Sequence, residues 1–259
     1  MFHFTRTILK NACRIIYSYF SWMNKYAKHP EKADLKIRYK KLHKLLYKIS
    51  KGLQVDFYIE GEEHILNQEA LYVCNHMSAF DPLAILSIFD KPISVVAKKE
   101  AKTMPIIGKC LQCIDGMFMD RKDLKQSIGI INKVSDDLSN GTKSWLIFPE
   151  GTRRKDLQHH ILDFHSGTFK AAINAGAPIV PIAIYGTTRV LKLKPQYHRY
   201  PVHIKFLKPY TKEDYQNLNS DQLAELIQND IERAVVYDLR IKDHEKMLKM
   251  RKYRFNACY

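Results

Sequence analysis

The chain has 259 residues, of which 46% are hydrophobic and 11% aromatic. That is enough apolar material for one large α/β domain with an added segment, and too much for a disordered chain. The formal net charge of +15 is unevenly spread: Met1–Lys51 holds 13 Lys/Arg against 2 Asp/Glu, Arg240–Tyr259 holds 7 against 2, and the body between them 22 against 23.

A nucleic-acid-binding domain carries its basic charge on the folded body, often beside aromatics. A neutral body with basic ends suits an anionic membrane surface at least as well, or plain solvation. The five cysteines, at 13, 74, 110, 113 and 258, form no disulfide-like framework. Cys110-Leu-Gln-Cys113 lacks the second pair that a zinc site needs and reads as buried thiols. Asn140-Gly-Thr142 matches a glycosylation sequon, yet Asn-Gly before an apolar run reads more simply as a turn.

Residues 5–26 have helical periodicity. Ile8, Ala12, Ile15, Ile16, Tyr19, Phe20 and Met23 fall on one side, and Arg6, Lys10, Arg14, Ser18 and Lys25 largely on the other. His29-Pro30 marks the break. A second pattern aligns Leu35, Tyr39, Leu42, Leu45, Leu46 and Ile49 between basic residues, with Asp34 as N-cap and Gly52 as stop. Two successive basic amphipathic helices read as an interfacial anchor or as a helical hairpin docked on the domain's own core. No stretch reaches the roughly 20 apolar residues of a membrane-spanning helix, and Arg6, Lys10 and Arg14 interrupt any signal-peptide core. The expected organisation is therefore 1–52 as membrane-surface helices, 53–239 as an α/β domain and 240–259 as a basic tail. The chain is expected to be peripheral, on the cytoplasmic face of a membrane.

From Gln54 the period changes. VDFYI, ALYVC, ISVVA, GMFM, SWLIF, APIVPIAI and VHIKFL are of strand length. Between them lie helical stretches at Pro82–Phe89, Leu124–Asn140, Gly167–Ala175 and Asp221–Tyr237. This alternation predicts an α/β fold with a mostly parallel sheet flanked by helices, whose chemistry gathers at the carboxyl ends of the strands. Asn75-His76, Asp120-Arg121 and Pro149-Glu-Gly-Thr-Arg153 all sit at such ends.

His76 and Asp81 are five residues apart, a spacing that chance supplies about 0.7 times in a chain of this composition. His29 and Asp34 repeat it. At a strand end, however, a carboxylate one turn away can fix the imidazole tautomer and leave the other nitrogen as a general base. No nucleophile-elbow motif is present, so direct transfer between two substrates is the more natural chemistry. Gly151 permits close backbone approach, the N–H groups of Gly151 and Thr152 are candidate donors, and Arg121 and Arg153 offer planar forks for phosphate.

These residues carry a resemblance to the glycerolipid acyltransferases, specifically the 1-acylglycerol-3-phosphate acyltransferases, from about Val55 to Val235. Asn75-His76-x-x-x-x-Asp81 resembles the family's catalytic block. KKEAKTMPIIG (98–108) resembles its Lys-x-Glu-Leu segment, with Ala101 where leucine is usual. GMFMDR (116–121), FPEGTR (148–153) and VPIAI (180–184) are similar to the later blocks. Phe164-His165-Ser166-Gly167 departs from the usual Phe-Lys-x-Gly and loses a lysine.

The resemblance implies transfer of a fatty acyl group from acyl-ACP or acyl-CoA to lysophosphatidic acid, forming phosphatidic acid. His76 would be the base and Asp81 its orienter; Lys99, Arg121 and Arg153 would bind the phosphate. Glu150, Gly151 and Thr152 would form the loop and oxyanion site. No metal or redox cofactor is implied, and no nucleic acid. Another acceptor, such as glycerol-3-phosphate or a lysophospholipid, fits the same blocks. A non-catalytic, basic lipid- or nucleic-acid-binding module is the alternative of another class.

Overall fold

Each of the seven apolar runs is a strand: β1 (Val55–Glu60), β2 (Leu71–Cys74), β3 (Ile93–Lys98), β4 (Met117–Met119), β5 (Ser144–Ile147), β6 (Ile179–Tyr185) and β7 (Tyr200–Phe206). In this computed structural model the described residues are 11–153, 161–191 and 198–256, with side chains as far as 250. Residues 5–10 of the first expected helix and 257–259 of the basic tail lie outside them.

The strands form one sheet in the order β1-β7-β6-β2-β5-β3-β4. The five from β6 to β4 are parallel, with registers such as Cys74 opposite Ile182 and Val73 opposite Ile147. β7 pairs antiparallel with β6 and parallel with β1, so the last two strands of that edge run the other way.

Alternate residues of each strand feed opposite cores, as the two-residue period of a pleated strand requires. Tyr72 and Cys74 face one, which also holds α2 (Leu35–Gly52), α3 (Asp81–Ile88) and α4 (Ile107–Cys113). Leu71 and Val73 face the other, under α5 (Leu124–Ser139), α6 (Lys170–Ala175) and α8 (Ser220–Ala234). The short α7 (Lys212–Tyr215) precedes α8 and buries Tyr215. The predicted α/β architecture is thus a three-layer sandwich. α4, which carries the C-x-x-C, and the short α7 are helices that apolar periodicity alone did not announce.

The second N-terminal helix keeps its predicted boundaries and the first ends at Lys28, just before His29-Pro30, but their apolar faces have different uses. Asp34 caps α2, its Oδ1 accepting from Lys36 N at 2.7 Å. Tyr39, Leu42, Leu45, Leu46 and Ile49 are buried in the domain core. α1, helical from residue 11 to Lys28, contains a π-helical turn at Tyr19–Met23. That turn inserts a residue into the helical register. Trp22 and Met23 are buried, whereas Ile16 and Phe20, expected on the same stripe, are 56% and 78% exposed. The Cys113 thiol donates to the Met23 carbonyl at 3.1 Å, fastening α1 to α4.

At the other end α8 runs through a second π-helical turn, Val235–Leu239, into α9 (Arg240–Asn256). Asp243 of α9 is buried and takes two hydrogen bonds from Arg189, at 2.6 and 2.8 Å. Among the described residues no helix is long and apolar enough to cross a membrane.

Candidate active site

Because β6, β2, β5, β3 and β4 are adjacent and parallel, the segments that follow them emerge on one edge of the sheet. β2 ends at Cys74, and His76 lies two residues beyond it. Asp81 opens α3, with Pro82 tolerated behind it in the first turn.

Nδ1 of His76 lies 2.9 Å from Oδ2 of Asp81. The same oxygen accepts the backbone N–H of Met77 at 2.6 Å and of Ser78 at 2.7 Å. Asp81 is fully buried, while the His76 side chain keeps 18% exposure. With Nδ1–H donating to the carboxylate, Nε2 carries the lone pair. The imidazole packs on Phe148 of the neighbouring strand end, ring centroids 4.6 Å apart.

Glu150 follows β5 and is buried. Its Oε1 accepts the backbone N–H of His76 at 2.5 Å, and its Oε2 that of Leu162 at 3.0 Å. Burial pushes its carboxyl up to about 7, against the pull of those two donors and of His76. On the other side Asn75 spans to β6. Its amide Nδ2–H donates to the Ile184 carbonyl at 3.0 Å, and its Oδ1 accepts the Ile184 N–H at 2.8 Å.

Gly151 adopts φ +68°, a left-handed conformation that favours glycine. Its N–H donates to the Phe148 carbonyl at 3.0 Å, so the expected oxyanion donor is already engaged within its own turn. The space a side chain would occupy is filled by Arg121, whose guanidinium carbon lies 2.0 Å from where a Cβ would stand. The close approach that the glycine permits is therefore to an arginine of the neighbouring block. Burial pulls the Arg121 guanidinium down from its ordinary value, and Glu100 pulls it up. Among the described residues no carboxylate pairs with it.

Lys99 forms an ion pair with Asp120, and the hydrogen bond between them raises the lysine and lowers the carboxyl. Thr152 and Arg153 are exposed at the end of the loop. In the departing segment, His165 is exposed and its N–H donates to the Pro149 carbonyl at 3.0 Å, so its backbone supports the Glu150 loop. Among the described residues no group of His, Cys, Asp and Glu is placed to hold a metal.

A hydrogen-bonded histidine–aspartate pair at the head of a parallel sheet, with arginines from two further strand ends, agrees with a direct sequence comparison: the model of the family described as Acyltransferase matches residues 56–185. The chain belongs to the acyltransferase family. It is 30% identical over 224 residues to the probable 1-acyl-sn-glycerol-3-phosphate acyltransferase of Mycoplasma pneumoniae, a match covering 81% of this chain and 82% of that one. It is 29% identical to the 1-acyl-sn-glycerol-3-phosphate acyltransferase of Saccharomyces cerevisiae, covering 67% and 56%. It is 30% identical to that of Escherichia coli, covering 61% and 62%. A crystal structure of the 1-acyl-sn-glycerophosphate acyltransferase from Thermotoga maritima superposes with a TM-score of 0.65 at 23% identity, covering 88% of this chain and 96% of that one. This last likeness concerns the fold.

In this acyltransferase the sequence reading left two interactions unseen. In the sequence Asn75 is only a letter of the motif, and Glu150 only a member of the loop. Each bonds a backbone group distant in sequence, which no local pattern announces.

Proposed function

We propose that the chain transfers a fatty acyl group from acyl-CoA or acyl-ACP to the sn-2 hydroxyl of lysophosphatidic acid, giving phosphatidic acid. The observation that carries this is the His76–Asp81 pair at the head of the sheet, with Nε2 turned away from Asp81, in a chain whose relatives bear that activity in their names. Nε2 takes the hydroxyl proton as the oxygen attacks the thioester carbonyl. Asp81 stabilises the imidazolium so formed. Collapse of the tetrahedral intermediate breaks the carbon–sulfur bond, and the departing thiolate recovers the proton from His76. Arg121, Arg153 and Lys99 hold the acceptor's phosphate, Lys99 by exchanging Asp120 for it. The loop Glu150-Gly151-Thr152 flanks the oxyanion, with the Thr152 N–H as its donor.

The reaction takes place at an anionic membrane surface. Its support is the exposed apolar group Ile16, Tyr17 and Phe20 on α1, together with the exposed lysines 36, 40, 44 and 48 that recur every fourth residue on α2. The buried face of α2 belongs to the core, so α1 supplies the apolar contact. A Phe20→Ser, Tyr17→Ser double variant is expected to lose binding to vesicles containing phosphatidylserine while remaining folded. Undiminished binding would refute the anchor.

The decisive experiment offers purified enzyme one acyl donor and a panel of acceptors. Lysophosphatidic acid should be turned over, and His76→Ala should lose about 10²–10⁴-fold in kcat. No turnover of lysophosphatidic acid, with turnover of glycerol-3-phosphate or a lysophospholipid, would reassign the acceptor. Full function of His76→Ala would favour a non-catalytic lipid-binding module.

A further inference from the structure

We infer that Asn75 is a positioning residue that suspends His76 at the head of the sheet. The inference rests on the proposed role of His76 as base.

The parallel ladder between β2 and β6 ends with Cys74 opposite Ile182. The next unpaired rung of β6 on that side is Ile184, which is fully buried and whose other flank is taken by Ile204 of β7. Its backbone N–H and C=O therefore need partners where β2 has already begun to turn away. The Asn75 side chain supplies both, the amide nitrogen donating at 3.0 Å and the amide oxygen accepting at 2.8 Å. A side-chain amide here stands in for a peptide unit of the missing strand. Aspartate matches its shape but has no donor for the carbonyl, and alanine has neither group. Asn75 is itself fully buried, so water does not substitute easily.

The consequence for His76 is geometric. With the rung completed by a side chain, the main chain is free to leave the sheet one residue earlier. The three N–H groups that follow then turn to carboxylates: His76 to Glu150, and Met77 and Ser78 to Asp81. The imidazole hangs between two clasps, Asn75 on the β6 side and Glu150 on the β5 side. Its Nδ1 is committed to Asp81 and its Nε2 is left for the acceptor. The Asn75 side chain bonds Ile184 rather than the imidazole, and so fixes where the turn begins.

Displacing a reacting group by about 1 Å costs on the order of 10²-fold in rate. Asn75→Asp and Asn75→Ala are therefore expected to lose about 10²-fold in kcat, with KM for lysophosphatidic acid within about twofold of wild type. A second readout is independent of turnover. In protein labelled with ¹⁵N-histidine, the His76 ring resonances should shift or broaden in Asn75→Asp, while those of His64, bonded to the Phe206 carbonyl on the far side of the sheet edge, stay in place. Retention of kcat within about threefold would overturn the inference. So would unmoved His76 resonances, or a rate loss that merely follows the fraction unfolded by circular dichroism. If wild-type enzyme turned over no acceptor, the proposed reaction would fail while the resonance test still decided the role of Asn75.

Discussion

Glu150 carries a carboxyl held near pH 7 by burial, and its two oxygens each hold a backbone N–H. Its ordinary value is 4.5, so folding raises its affinity for a proton. The stability that this group contributes is full below pH 4.5 and is lost as pH rises through about 7. Wild type should lose on the order of 3 kcal/mol relative to Glu150→Gln between pH 5 and 8. Urea titrations at the two pH values measure it, and equal slopes for both proteins would contradict it. Gly151→Ala makes a different demand: a left-handed backbone costs on the order of 1–3 kcal/mol for a residue with Cβ, and the methyl displaces the Arg121 guanidinium. The expected outcome is a raised KM for the phosphate-bearing acceptor with a smaller change in kcat. Steady-state kinetics check it. Much of the site at this scale could be read in the chain, because His76, Arg121 and the Glu-Gly-Thr-Arg loop stand at predicted strand ends and Asp81 one turn beyond the first of them. Spacing alone was not the signal. His29 and Asp34 share it, yet His29 pairs with Glu31 and Asp34 caps α2. The unread part consists of bonds between remote positions, Asn75 to Ile184 and His76 to Glu150, 109 and 74 residues apart.

At the scale of elements the helix α2 is the instructive case. Its apolar periodicity predicted one face correctly, but Arg38, one of the basic residues between the apolar positions, is buried. It donates to the Cys113 carbonyl at 2.8 Å and in a fork to Asp115 at 2.7 and 3.0 Å. Burial pushes the Asp115 carboxyl up, yet the bonds from Arg38 and Lys143 outweigh it and hold the group below its ordinary value. Asp115 has φ +54°, so this ion pair also pins a left-handed residue between α4 and β4. Arg38→Met is expected to destabilise by about 2 kcal/mol, less than a fully buried pair, because Asp115 is partly exposed and keeps Lys143. Chemical denaturation of Arg38→Met, Asp115→Gly and the double variant tests it. The double variant should cost less than the sum. The π-helical turn of α1 was unreadable for a related reason. Periodicity assumes a constant 3.6 residues per turn, and tertiary contacts of Trp22 and Met23 override it.

For the whole molecule, the predicted alternation of strands and helices gave the sheet but not its order, because reversal of β7 and β1 depends on contacts far apart in sequence. The C-terminal helix α9 is tied to this reversed edge. Arg189 forks onto buried Asp243, and Lys242 holds both Glu60 of β1 and Asp238. Asp243→Asn leaves the Arg189 guanidinium without its charge partner, at a cost of about 3 kcal/mol. Hydrogen exchange should then rise in residues 240–250 and at the end of β6 before it rises elsewhere; uniform protection would argue against the tie. The place of β1 in the sheet has a further consequence, in the order of events during synthesis. β1 is made early, but its neighbour β7 begins at Tyr200, opposite Val55. At ribosomal speed the strand waits on the order of 10 s for a partner. During that interval β1 is an unpaired edge bearing Phe57, Tyr58 and Ile59. Chains that stop short of Tyr200 leave both β1 and the outer flank of β6 open, two templates for edge-to-edge association. The nascent protein is most vulnerable in the stretch of translation just before its last strand emerges.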